Sequence, residues 1–218
     1  MQMRTYVPAL GDHRLSPFYG TTLSLMTCER TWRRAFVKQI NPEPRDVILD
    51  MGCGTGTLAI MLKQAGPSAS IYGVDPDPAI LTRAEAKARD KDLLIHFAQG
   101  YVQETASIAS VIRPNKIVSS MVLHCVPLAG KRQAVQSAFA ALRPGGELHI
   151  ADYGRQNSAL MRLAFRQVQT LDGFESTQPN ADGVLPELMR EAGFDDVNEN
   201  LVIPTPTGSI SLYSAARP

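Results

Sequence analysis

Cysteine is sparse in this sequence: Cys28, Cys53 and Cys125 stand far apart and are odd in number. A disulfide framework is therefore excluded as the organising device. Scattered thiols suit a reducing compartment, so the expected location is the cytoplasm. Paired zinc-type spacing is also missing, and no metal site is expected. Neither sign of charge dominates. Lys and Arg total 22 against 21 Asp and Glu, which leaves no net field to favour nucleic acid or an anionic membrane. No run approaches the roughly 18 apolar residues of a membrane span, and the opening MQMRTYVPALGDHR lacks the apolar core of a signal peptide. Aromatics are only 6% of the chain and do not interleave with basic patches, so RNA binding is not indicated. Internal repeats and low-complexity tracts are missing too.

What is present is enough apolar material for a full core. Hydrophobic residues make up 44% of 218 positions, which predicts one domain over residues 1–218. Short β-rich runs alternate with longer helical patterns. DVILDM, SIYGVD (Ser70 to Asp75), LLIHFA (Leu93 to Ala98), KIVSSMV (Lys116 to Val122), GELHIAD (Gly146 to Asp152), DVNENLVIP and SISLYSA read as strands. Thr57 to Gln64, Ala79 to Arg89, Ala129 to Leu142 and Pro186 to Glu191 read as helices between them. This alternation predicts an α/β, doubly wound, mostly parallel sheet with helices on both faces. The last two strands are joined by TPTG, too short for a crossover, and should pair antiparallel at the sheet edge.

Two segments fall outside that rhythm. Residues 1–42 read as an N-terminal helical cap that carries Tyr19, Met26, Trp32 and Phe36 and is closed by Pro42 and Pro44. Residues 154–183 read as an insertion with Met161, Phe165, Val168 and Leu171 at helical spacing, followed by LDGFEST, which looks like a turn.

The stretch VILDMGCGTGTLAI places Gly52, Gly54 and Gly56 between a buried strand and a helix. So tight a turn, with a helix N-terminus behind it, lets a ligand approach backbone N–H groups. A dinucleotide fingerprint would need a third glycine where Thr57 stands, and a phosphate-binding loop would need a following Gly-Lys-Ser/Thr. Neither fits. About 19 residues on, YGVDPDPAIL ends a second strand at Asp75, where a carboxylate can accept both hydroxyl hydrogens of a ribose. Asp77, just before Pro78, fits a helix cap.

Asp50 at the strand end with Gly52, Gly54 and Gly56 resembles motif I of the class I S-adenosylmethionine-dependent methyltransferases, and the likeness runs along most of the chain. LRPGGELHIAD is similar to the turn and strand five of that family, and SSMVLHCVP to the end of strand four. The resemblance implies a Rossmann-like seven-stranded sheet in the order 3-2-1-4-5-7-6. It also implies S-adenosyl-L-methionine as cofactor and a cofactor site of Asp50, Gly52, Cys53, Gly54, Asp75, Pro76, Gln99, Gly100, Tyr101 and Ser119. Asp50 would meet the cofactor's cationic amino group. Two departures stand out. Asn115 replaces an acidic residue before the fourth strand, and AQGYVQE offers Gln99, Gly100 and Tyr101 where an acidic residue often meets adenine.

Methyl transfer needs a base only where the acceptor must lose a proton, and His124 at the end of strand four is the expected candidate. His124 and Cys125, taken as neighbours on an extended strand, should point to opposite faces. Tyr19, Asp152, Tyr153 and Phe165 are the expected acceptor-side residues; around the Tyr19 to Phe36 segment, residues 11–27 are expected to order as a lid when ligand binds, and residues 30–39 to be docked without it. The N-P-P-Y or D-P-P-Y motif of amino-methylating relatives is replaced by SSMV. The partner implied is a small-molecule acceptor, as in the quinone-biosynthesis-like branch, and a noncatalytic cofactor-binding module is the alternative.

Overall fold

The computed structural model describes residues 28–218. Tyr19, Met26 and the rest of the expected cap before Cys28 lie outside the described residues.

Helix α1 (Glu29–Ile40) leads into β1 (Val47–Met51), followed by α2 (Thr57–Ala65), β2 (Ser70–Asp75), α3 (Pro78–Arg89) and β3 (His96–Gln99). A 3-10 turn (Val102–Glu104) and short α4 (Thr105–Ile108) precede β4 (Lys116–Ser120), and a second 3-10 turn (Leu123–Cys125) follows it. The chain then runs through α5 (Leu128–Ala141), β5 (Glu147–Tyr153), α6 (Ala159–Asp172), α7 (Phe174–Ala181) and α8 (Leu185–Glu191). It closes with the hairpin of β6 (Asp195–Thr205) and β7 (Gly208–Ala216).

The strands form one sheet in the order β3-β2-β1-β4-β5-β7-β6. The first five pair in parallel, whereas β7 runs antiparallel to both β5 and β6. Order and edge pairing agree with the sequence expectation. Each crossover helix hides an apolar stripe, and strand alternation sends consecutive side chains to opposite faces. Leu49, Ile117, Leu148 and Tyr213 therefore pack in one core cluster, while Ile48, Val118, Ala151 and Leu212 pack in the other with Trp32, Phe36 and Ile40 of α1. The described part of the cap is thus docked scaffold.

Local chemistry sets the boundaries. Asp77 caps α3 by accepting N–H bonds from Ala79 and Ile80 at 2.8 and 3.3 Å, with Pro78 opening the helix. The third strand begins later than LLIHFA suggests. Asp92 is left-handed (φ 53°) and Leu93 donates its N–H to the Ala88 carbonyl, so α3's end consumes those residues and pairing starts at His96. The fourth strand stops at Ser120, short of the expected Val122, because Met121 takes φ 56°, a conformation that non-glycine residues adopt rarely. LDGFEST is not a turn throughout: Gly173 alone breaks the helix (φ 87°), and Phe174 already opens α7.

Candidate active site

The glycine turn lies between β1 and α2 at the carboxyl edge of the sheet, where ligands of open α/β sheets bind. Its N–H groups are less available than the sequence suggests. Gly52 and Cys53 both donate to the Val74 carbonyl (2.8 and 3.0 Å), Gly56 donates to Cys53, and Gly54 donates to Asp75 Oδ2 at 3.0 Å. The turn is held by β2, and what it offers a ligand is space. A Cβ on Gly54, whose φ is +53°, would meet no atom within 4 Å, whereas one on Gly52 would strike the Val122 side chain. Burial beside Asp50 and Asp75 pushes the Cys53 thiol's pKa up, so it is inert.

Asp50 is the penultimate residue of β1, its side chain wholly enclosed, and neither carboxylate oxygen has a hydrogen-bond partner. Burial raises its pKa to about 7, although Arg33 on α1 pulls it down; Asp75 pushes the same way as burial. A buried carboxylate without partners is costly unless something charged completes it. Arg33 is a residue that sequence reasoning missed. Its guanidinium bonds Glu29 at 2.5 Å, reaches Ser120 Oγ at 3.4 Å and lies 4.5 Å from the Trp32 ring centre. Nothing in TWRRAF distinguishes Arg33 from Arg34; only the docking angle of α1 does.

Asp75 is nearly buried at the end of β2 on the same face as Asp50. Oδ1 accepts the Asp77 N–H and Oδ2 the Gly54 N–H, each at 3.0 Å. Burial raises its pKa against those two bonds. Each oxygen keeps a second lone pair for a ligand hydroxyl. In the expected adenine subsite, the exposed Gln99 donates its amide to the Pro76 carbonyl at 3.0 Å. Gly100 N–H is taken by the Asp75 carbonyl, and Tyr101 N–H by Glu104 Oε2. Those two backbone groups are therefore not adenine donors, while the partly exposed Tyr101 side chain remains at the edge. Ser119 is wholly buried and gives its hydroxyl hydrogen to the Met51 carbonyl at 3.1 Å, which ties β4 to β1. Its expected contact with the cofactor gives way to this sheet bond. Asn115 accepts the Val47 N–H at 2.7 Å and donates to Asp46 at 2.6 Å, so the departure there serves the sheet entrance.

Beyond β4 the chain turns sharply and Asp152 holds it. One Asp152 oxygen accepts the Val122 and Leu123 N–H groups at 3.1 and 2.7 Å, and the other lies 2.7 Å from His124 Nδ1. Lys131, wholly buried on α5, donates to the carbonyls of Leu123, Val126 and Ser176. Burial lowers its pKa to about 8. His124 is 5% exposed. Burial alone would lower its pKa, yet Cys125, Asp152 and Asp172 together hold it well above the ordinary value. The carboxylates of Asp152 and Asp172 thus favour the charged form of the ring. The expected general base is thus a buried ring with Nδ1 engaged by Asp152 and Nε2 facing Asp172.

The placement of Cys125 is a second correction. Residues 123–125 form a 3-10 turn, so His124, Cys125 and Asp172 bring their ligand atoms within 4.8 Å of one another. Asp152, expected to line an acceptor space, is instead the buried brace of this turn. Tyr153 and Phe165 are likewise core residues: the Tyr153 hydroxyl bonds Thr207 at 2.8 Å, and the two rings pack 4.8 Å apart. They are large and apolar enough to fill the space between β5 and α6, which removes them from a solvent-facing pocket.

Comparison with known proteins follows this geometry. Residues 48–146 match a family described as a methyltransferase domain. The chain is 27% identical to a demethylmenaquinone methyltransferase of Lactobacillus johnsonii over 76% of its own length and 70% of the relative's. It is 30% identical to a malonyl-[acyl-carrier protein] O-methyltransferase of a Paenibacillus species over 71% of its length, but spans only 56% of that protein. Among solved structures, magnesium protoporphyrin IX methyltransferase from Synechocystis, with bound S-adenosylhomocysteine, superposes with a TM-score of 0.63 at 16% identity, over 95% of this chain and 90% of that one. An O-methyltransferase family protein from Burkholderia thailandensis gives 0.71 at 16% identity, over 91% of this chain and 59% of the other. At such identity the likeness is one of fold. Among the described residues no helix is long and apolar enough to cross a membrane.

Proposed function

We propose that this chain, which belongs to the class I S-adenosylmethionine-dependent methyltransferases, moves the cofactor's methyl group to a small-molecule acceptor by in-line displacement. The cofactor supplies an activated methyl on a sulfonium. The observation that carries the proposal is Asp50, a buried carboxylate with two unpartnered oxygens, which an ammonium would complete. Asp75 has lone pairs to spare for two ribose hydroxyls, and Gly54 leaves the space in which the methionine portion would lie. Ring packing on Tyr101 suits the adenine.

The protein's work is then placement, and holding two reactants in line is worth on the order of 7–11 kcal/mol. Both ring nitrogens of His124 face carboxylates, Asp152 and Asp172, so the acceptor's nucleophile should carry a lone pair or negative charge without help from that ring. The near-neutral charge of the chain supports a small molecule over nucleic acid. The name of one relative, a demethylmenaquinone methyltransferase, supports the same class. Helices α6 and α7, within residues 154–183, would form the acceptor-side cover.

The test is incubation with S-adenosylmethionine and a pooled metabolite extract, with S-adenosylhomocysteine and methylated products followed by mass spectrometry. Product should form with the native chain and be lost in Asp75→Ala. Tight cofactor binding without any product would instead identify a noncatalytic cofactor-binding module.

A further inference from the structure

We infer that His124, Cys125 and Asp172 form a site for a divalent ion of the zinc class, with a fourth coordination position open to solvent. The His124 Nε2 to Asp172 Oδ2 distance is 3.6 Å. That is too long for a hydrogen bond. It is close to the roughly 3.3 Å that separates two ligands each 2.0–2.1 Å from one tetrahedral ion. The Cys125 sulfur completes the set, with all three atoms inside 4.8 Å. One nitrogen, one sulfur and one oxygen suit a borderline-soft ion rather than calcium or magnesium.

Three further features belong to such a site. His124 Nδ1 sits 2.7 Å from Asp152, the carboxylate behind the histidine that fixes the tautomer and turns Nε2 toward a metal. Asp172 is the last residue of α6, and no basic residue occupies that helix's final turn. A carboxylate at the negative end of a helix dipole is unfavourable unless a cation faces it. Finally, two carboxylates face His124, Asp152 at Nδ1 and Asp172 at Nε2, which makes the cluster a favourable place for a dication. Access is available because Cys125 and Asp172 are partly exposed while His124 is buried behind them.

The sequence hides this site. The ligands are separated by an adjacent pair and an interval of nearly fifty residues, which matches no spaced motif. Only the 3-10 turn and the end of α6 bring them together.

Titration of the chelator-treated protein with cobalt(II) tests the inference directly, and its readout is independent of methyl transfer and of cofactor binding. A single equivalent should produce a thiolate-to-cobalt charge-transfer band with intense tetrahedral visible bands, and zinc should displace it. Cys125→Ser should abolish the charge-transfer band, and Asp172→Asn should weaken cobalt binding by about 10-fold or more. Circular dichroism and S-adenosylhomocysteine binding of each variant check that the fold persists. No band in the native protein, or a band that survives in Cys125→Ser, overturns the site and leaves His124 as a ring braced between two aspartates.

Discussion

Asp75 accepts the Gly54 N–H at 3.0 Å, so the carboxylate assigned to the ribose also fixes the turn against which the methionine end would lie. Asp75→Ala should therefore weaken S-adenosylhomocysteine binding by about 10–100-fold, since hydroxyls and a backbone N–H lose their acceptor at roughly 1–3 kcal/mol. Calorimetry reads the affinity. An unchanged value removes Asp75 from the site.

Gly54 separates ligand space from packing. A methyl added there meets no protein atom, so Gly54→Ala should cost only the strain of a positive φ, about 1 kcal/mol by thermal denaturation. Cofactor affinity should fall far more, by at least tenfold. Equal small losses in both would place the ligand elsewhere.

Asp50 also makes a stability prediction. Its folded pKa of about 7 lies above the unfolded carboxylate value, so between pH 4 and 7 the native state holds a proton that the unfolded chain has lost. Stability linked to that proton is fully present below about pH 4 and lost as pH rises through about 7. Asp50→Asn should remove this slope and leave the ligand-free protein more stable than native at pH 8, by up to roughly 4 kcal/mol. Urea denaturation at pH 5.5 and 8 checks it, and a variant less stable than native at pH 8 would refute it.

Lys131 ties the post-β4 turn to α7 by donating to the carbonyls of Leu123, His124, Val126 and Ser176. Lys131→Met fills the volume but orphans those oxygens, at an expected cost of about 3 kcal/mol or more in urea denaturation. Cofactor affinity should stay within about twofold in the folded protein, because Lys131 contacts neither Asp50, Asp75 nor the glycine turn. A large affinity loss would show that the turn itself shapes the cofactor site.

The sheet order, antiparallel edge and Asp77 cap were legible because they rest on local signals: alternation, a connection too short to cross over, and an acid before proline. Asp50 and Asp75 were legible for the same reason, as acids at strand ends. The state of the turn around His124 was not. It depends on Asp152, almost thirty residues away, bonding the backbone N–H groups of Val122, Leu123 and His124 and the His124 ring at once. Phe165 and Tyr153 show the complementary failure. Helical or strand-end spacing marks an apolar residue as inward-facing, but whether that side meets a core or a ligand depends on how α6 lies against β5 and β7. Arg33 was invisible because its role comes from where α1 docks.

In the proposed reaction the unpartnered Asp50 carboxylate receives the ammonium of the cofactor. Calorimetric titration of S-adenosylhomocysteine into native protein and Asp50→Asn, at pH 6 and pH 8, tests it most directly. Because Asp50 must lose its proton to pair, native affinity should rise about tenfold from pH 6 to pH 8, while the Asn variant should bind weakly and without that slope. Native-like affinity in Asp50→Asn at pH 8 would contradict the account.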